Sequence, residues 1–128
     1  MKFVTPELVV EDVNATMAFY CDVLGFESVI TVPEEGILDW ALLKKGNVQL
    51  MFEAQRSIIK ELPAFKDMPI GGSLLLYIDV DEVQKFYEQI KQQVDVLREP
   101  HGTFYGAREF AIRDINGYVL LFAERTIE

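Results

Sequence analysis

The chain has 128 residues, of which 50% are hydrophobic, 26% charged and 12% aromatic, an ordinary globular composition. That length reaches a single core without metal or disulfide staples. With 21 acidic residues against 12 basic ones and a formal charge of −9, it does not read as a general nucleic-acid binder, whose affinity rests on Lys and Arg facing phosphates. Cys21 stands alone, so no internal disulfide forms, which favours a reducing compartment. Met1 to Pro6 lacks the apolar run of a signal peptide, and no stretch approaches the roughly 18 apolar residues of a membrane span. A cytoplasmic protein without membrane contact is expected.

Residues 3–10 are Val-rich and read as a strand. Asp12 opens a helix whose apolar face is Val13, Met17, Tyr20 and Leu24, at helical spacing, and Gly25 stops it. Phe26 to Val32 reads as a strand closed by Pro33-Glu34-Glu35-Gly36. Ile37 to Leu43 and Val48 to Phe52 flank the turn Lys44-Lys45-Gly46-Asn47, a hairpin pattern. Residues 54–72, with Pro63, Pro69, Gly71 and Gly72, read as a connector with one short helical turn near Ile58 to Leu62.

Ser73 to Ile78 is a buried-type strand. Asp79-Val80-Asp81-Glu82 offers an N-cap with an acid three residues on, and Val83, Phe86, Tyr87 and Ile90 mark an apolar helix face. Val94 to Leu97 is a strand, Glu99 to Phe104 a loop and Tyr105 to Arg113 a strand. Asp114-Ile115-Asn116-Gly117 is a turn before the last strand, Tyr118 to Ala123.

Both halves thus read strand–helix–strand–strand–strand. Asp12 and Asp79 fall at equivalent helix starts, Ala18-Phe19-Tyr20 matches Lys85-Phe86-Tyr87, and Gly46 falls on Gly117. The identities are few, but the order predicts an α+β protein: one domain over 1–128, built of two βαβββ modules at 1–53 and 73–128 joined by the connector 54–72.

The segments that carry this pattern are Val10-Glu11-Asp12-Val13, Ala18-Phe19-Tyr20, Leu24-Gly25-Phe26 and Arg113-Asp114-Ile115-Asn116-Gly117-Tyr118-Val119-Leu120. In these the chain resembles the glyoxalase / bleomycin-resistance / extradiol-dioxygenase superfamily, also called vicinal oxygen chelate. Ile115 stands where the family turn usually has proline. The stretch Trp40 to Val48 looks most like the bleomycin-resistance branch. The resemblance spans essentially the whole chain, and its motifs specify fold better than activity. It implies paired modules that form a curved mixed sheet around a groove, and a homodimer. It also implies a divalent-metal site, whose positions here fall on Thr5, Gln49 (or Leu50, one residue along), Ser73 and Leu121. Of these only Gln49 looks like a ligand, and Leu121 coordinates nothing.

The residue inventory points the same way. A catalytic zinc site wants three protein ligands, and the single histidine, His101, falls in an expected loop. A carboxylate-only site for magnesium or manganese would need Glu7 and Glu53 to meet. Cys21 reads as a packed hydrophobe, and neither a nucleophile elbow nor a phosphate-binding glycine loop is found. No metal, cofactor or catalytic residue is therefore assigned. In the implied fold each sheet packs its helix on one face and lines the groove with the other. Alternation then sends Gln49, Met51 and Glu53 to the groove with Thr5 and Glu7, and Ser73, Leu75 and Tyr77 from the fifth strand. Trp40, Tyr105, Arg108, Phe110 and Leu121 are walls or rims, although Trp40 and Phe110 suit a core equally well. The candidate ligand-binding set is Glu7, Trp40, Gln49, Met51, Glu53, Tyr77, Tyr105, Arg108 and Phe110. The expected function is metal-free binding of a small cationic or aromatic molecule. The alternatives are a metal-dependent lyase, isomerase or dioxygenase of the glyoxalase type, and a metabolite-binding module.

Overall fold

The computed structural model describes residues 1–125, so the last three positions expected in the second module lie outside the described residues. Two compact units form, Met1–Ile70 and a second from Gly71 onward. The first holds β1 (Glu7–Val10), α1 (Val13–Ala18) continued by a π-helical turn (Phe19–Val23), β2 (Glu27–Val32), β3 (Trp40–Lys45), β4 (Val48–Ala54), α2 (Gln55–Glu61) and a 3-10 turn (Pro63–Asp67). The second holds β5 (Leu75–Asp79), α3 (Val83–Ile90), β6 (Asp95–Gly102), β7 (Ala107–Arg113) and β8 (Val119–Arg125). The four-stranded sheets run β1-β4-β3-β2 and β5-β8-β7-β6. In each, the first pair is parallel and the others antiparallel. The expected α+β architecture of two βαβββ modules is therefore present, with one topology used twice.

Local chemistry explains why α1 starts and stops where it does. The Asp12 carboxylate accepts the Ala15 N–H at 3.0 Å, which satisfies one orphan donor of the first turn. At the other end Gly25, at φ +83°, lets the Phe26 N–H return to the Tyr20 carbonyl at 2.9 Å. Lys45 Nζ donates to the Leu24 carbonyl at 2.7 Å, a cation at the negative end of the helix. Val13, Tyr20 and Leu24 are buried as their spacing requires, but Met17 is only half-buried and Thr16 takes its place. A hydroxyl tolerates that burial because it donates to the Asp12 carbonyl at 2.8 Å. In the core of the first unit, the Tyr20 ring lies 4.7 Å from Phe52 and 5.5 Å from Phe26.

The second helix is capped differently from the sequence expectation. No side chain of residues 79–82 caps it; the Glu124 carboxylate, reaching over from β8, accepts the Val83 N–H at 3.0 Å. Val83, Tyr87 and Ile90 are buried and Phe86 is half-buried. Other boundaries moved as well. Residues 3–6 precede β1, and Ile37 is 78% exposed in a loop. Asn14 holds that loop: its amide donates to the Gly36 carbonyl and accepts the Leu38 N–H, each at 2.9 Å. The connector is partly helical and packs on the first unit through Ile58, which is buried. Glu99 to Gly102 extends β6 instead of forming a loop, across two register shifts between Val96 and His101, so His101 sits on a strand. The Asp114 turn forms as expected, its carboxylate accepting the N–H groups of Asn116 and Tyr118, each at 2.9 Å. A Cβ on Gly71 would stand 2.4 Å from the Asn116 carbonyl oxygen, so this close approach admits only glycine.

The Asp12 cap generates a stability prediction. Asp12→Ala should lower the free energy of urea unfolding by about 1 kcal/mol, and Asp12→Asn by less, because asparagine still caps. An unchanged midpoint for the alanine variant would show that the bond contributes nothing.

Candidate functional site

Each strand has two faces, and α1 in the first unit and α3 in the second cover one of them. In the first unit Leu8, Val10, Ala41, Leu43, Leu50 and Phe52 fill the helix side. The register sets Glu7 beside Met51, Val9 beside Glu53, Trp40 beside Glu53 and Leu42 beside Met51, all on the opposite face. Gln49 lies further along the same face, exposed and paired with Lys44. Five of the nine candidate residues, Glu7, Trp40, Gln49, Met51 and Glu53, therefore share one surface.

Its centre is a pair of carboxyl groups. Glu53 is only 6% exposed, and the Ser57 hydroxyl donates to its Oε2 at 2.8 Å. The Trp40 indole N–H donates to Glu7 Oε1 at 3.0 Å. Burial pushes the Glu53 carboxyl above the usual carboxylate range; the neighbouring Glu7 and Asp39 charges add to the rise, and the Ser57 hydrogen bond opposes it. Asp39 itself is held by Arg56 at 2.8 Å, an exposed ion pair. A depression of about 300 Å³ at the start of α2 is lined by Glu11, Gln55, Arg56 and Ile59, none of them a candidate residue.

In the second unit two of the four candidates share the helix-free face and two do not. Tyr77 and Tyr105 meet on a residue the sequence reading missed: their hydroxyls donate to Glu109 Oε2 at 2.8 and 2.5 Å. Glu109 is 3% exposed. Arg108 and Phe110 point to the other side. The Arg108 guanidinium donates to Gln84 Oε1 of α3 at 3.2 and 3.3 Å. Phe110 is fully buried, 5.2 Å from the Tyr87 ring and 5.1 Å from Phe122, so it is core and not groove wall. Alternation through the odd positions of β7 would have found Glu109, because Tyr77, on β5, already faces that way. The register also sets His101 opposite Glu109, on the same face. Cys21 is half-buried, and burial together with Asp22 pushes its thiol up, against a nucleophilic role.

These residues give the family's divalent metal few donors. Leu121, paired with Tyr77 and Ala111, offers no donor atom at one of the four positions. Glu7 and Glu53 do meet, but among the described residues no group of three or more His, Cys, Asp or Glu could hold a metal ion. The donor set does not fit the metal.

The family model described as "Glyoxalase/Bleomycin resistance protein/Dioxygenase superfamily" matches residues 2–122. Among solved structures, the bleomycin-binding protein from bleomycin-producing Streptomyces verticillus, complexed with copper(II)-bleomycin, is 23% identical, with 100% of this chain and 99% of that chain covered and a TM-score of 0.65. The bleomycin resistance determinant encoded on transposon Tn5 is 21% identical, with 99% and 100% covered and a TM-score of 0.72. A glyoxalase/bleomycin resistance protein/dioxygenase family enzyme from Burkholderia phytofirmans PsJN is 22% identical, with 94% and 95% covered and a TM-score of 0.77. At these identities the likeness is one of fold. No curated protein matches the sequence significantly. No helix among the described residues is long and apolar enough to cross a membrane.

The raised Glu53 carboxyl has a consequence for stability. The folded chain holds that proton more tightly than the unfolded chain, so stability is lost as pH rises from the ordinary value of 4.5 through the raised one and is level above it. Glu53→Gln should remove this loss. Urea midpoints taken from about pH 4 to pH 8 should shift in favour of the variant as pH rises and then keep a constant gap. Parallel profiles would show that Glu53 ionises normally.

Proposed function

The chain belongs to the glyoxalase/bleomycin resistance protein/dioxygenase superfamily, and from that membership we propose that it binds a small cationic or aromatic molecule without a metal ion, as a cytoplasmic homodimer. The observation that carries this reading is the Glu7–Glu53 pair beside Trp40. Two neighbouring carboxyl groups resist ionising together, and a ligand cation relieves that repulsion. The indole ring adds a flat apolar surface for stacking or for a cation over its face. An apolar and aromatic lining with few polar anchors is the general form of a small-molecule site. Exposed Val29, Ile30 and Val32 on the edge strand β2 support a second copy as partner.

Calorimetry with a cationic glycopeptide of the bleomycin class tests the ligand. Saturable heat is expected, weakened about tenfold or more by Glu53→Gln and by Trp40→Ala, since each removes a direct contact. Binding unchanged in both variants would sink the reading. Sedimentation at micromolar concentration should give a dimer, with an interface above the ~1,000 Å² of a specific contact. Elemental analysis should find no stoichiometric zinc, nickel, iron or manganese; a tightly held ion that confers glyoxalase activity would make the protein a metal-dependent enzyme instead.

A further inference from the structure

Asn116 and Gly117 make the chain's one Asn-Gly step, and it lies in the turn between β7 and β8. An asparagine side-chain amide can be attacked by the backbone nitrogen of the next residue, which closes a five-membered ring. Asn14 and Asn47 are followed by Ala15 and Val48, whose side chains crowd that nitrogen. Gly117 has no side chain to do so. The sequence therefore puts its most labile peptide unit in this turn.

The structure holds the unit closed. The Gly117 N–H donates to the Asp114 carbonyl at 3.1 Å, across a turn whose central residues, Ile115 and Asn116, are not at positive φ. Asp114, only 4% exposed, ties the turn from within. Its carboxylate accepts the Asn116 and Tyr118 N–H groups, and its own N–H donates to the Tyr118 carbonyl at 2.8 Å. Gly71 closes the turn from outside, packed against the Asn116 carbonyl oxygen with no room for a Cβ. The Gly117 nitrogen has to give up its proton before it attacks. Here that proton is committed to a hydrogen bond, beside a carboxylate that disfavours a second negative charge. Ile115 is 54% exposed, so water reaches the turn once it opens.

We propose that Asn116 is a site of spontaneous deamidation that the fold keeps closed, with the Asp114 turn and its contact with Gly71 as the gate. When the turn opens, the Gly117 nitrogen bonds to the Asn116 Cγ and the Cγ–Nδ2 bond breaks. Ammonia leaves with the proton that Gly117 gives up. Water then opens the cyclic imide. Opening at Cγ gives aspartate; opening at the main-chain carbonyl gives isoaspartate, whose backbone runs through Cβ and Cγ and is one carbon longer. No electron is gained or lost, and a chain at −9 takes one further negative charge. The approach of Gly71 leaves no space for an extra backbone carbon, so the isoaspartate form does not rebuild the turn.

The test ages the full chain in mildly alkaline buffer, one sample native and one in guanidinium chloride. Trypsin releases residues 114–125 as one peptide, and chromatography with mass spectrometry separates its amide, aspartate and isoaspartate forms. The denatured chain should convert at Asn116 about tenfold faster than the native one or more, because native conversion waits for local opening. Asn14 and Asn47 should lag behind Asn116 in the denatured chain. Gly71→Ala, which sets a Cβ against the Asn116 carbonyl, should raise the native rate about threefold or more and leave the denatured rate unchanged. Equal rates in native and denatured samples overturn the gate. An Asn116 that keeps its amide in the denatured chain, or converts no faster there than Asn14 and Asn47, overturns the site. A folded Gly71→Ala variant with an unchanged native rate overturns the part given to Gly71. If that variant fails to fold, the ratio of denatured to native rates decides alone.

Discussion

A strand has two faces, and in each unit the helix between the first two strands, α1 or α3, covers one of them. The arrangement of this protein follows from that division. Period-two alternation sends Leu8, Val10, Leu43, Leu50 and Phe52 under α1, and Phe110, Ile112, Leu120 and Phe122 under α3. The remaining positions of the same strands form the opposite face, which in the first unit α2 reaches at Glu53 through the Ser57 hydroxyl. Burying the apolar half fixes the register, and a slip of one residue would exchange the two sets entirely. The polar residues on the open face are therefore placed by the core beneath them.

The two open faces use carboxylates in contrasting ways. In the first unit Glu53 is buried beside a second acid, and both effects push its carboxyl above the usual carboxylate range. In the second unit Glu109 faces two hydroxyl donors, and its negative charge is shared with neutral phenols. The repeated topology has thus been filled with different chemistry. The same holds for the helix starts: α1 is capped from its own sequence by Asp12, and α3 by Glu124 from a strand distant in sequence.

The fold was legible because it rests on local signals. Alternating strands, a capping aspartate and glycine stops each report on neighbours a few residues away, and both modules emerged from them. The acidic face of the first unit was legible for the same reason, since β4 alternates without interruption from Gln49 to Glu53. The second unit was harder. Register shifts in β6 carry Glu99 to Gly102 into the sheet, and Thr103 to Gly106 form the turn where a strand was expected to begin. Arg108 and Phe110 were then counted among the walls or rims, and Glu109 between them was not singled out. Glu124 as a cap was invisible for a different reason: it is 41 residues from the N–H it accepts. Thr16 entered the core through a hydroxyl bonded back to its own helix, which spacing of apolar residues does not register.

The close approach at Gly71 bears on how such a sequence can vary. Its missing side chain is required by a carbonyl oxygen of Asn116 and by its own φ of +82°, while Gly117 is required by its backbone, at φ +96°. One glycine answers to a steric and a torsional demand together and the other to a torsional one, yet both serve one close approach of the chain to itself. The two positions therefore constrain each other sterically. A lineage that replaced Gly71 would first have to move the Asn116–Gly117 turn away. A shift of the β7–β8 hairpin thereby requires a matching shift of the segment that leads into β5.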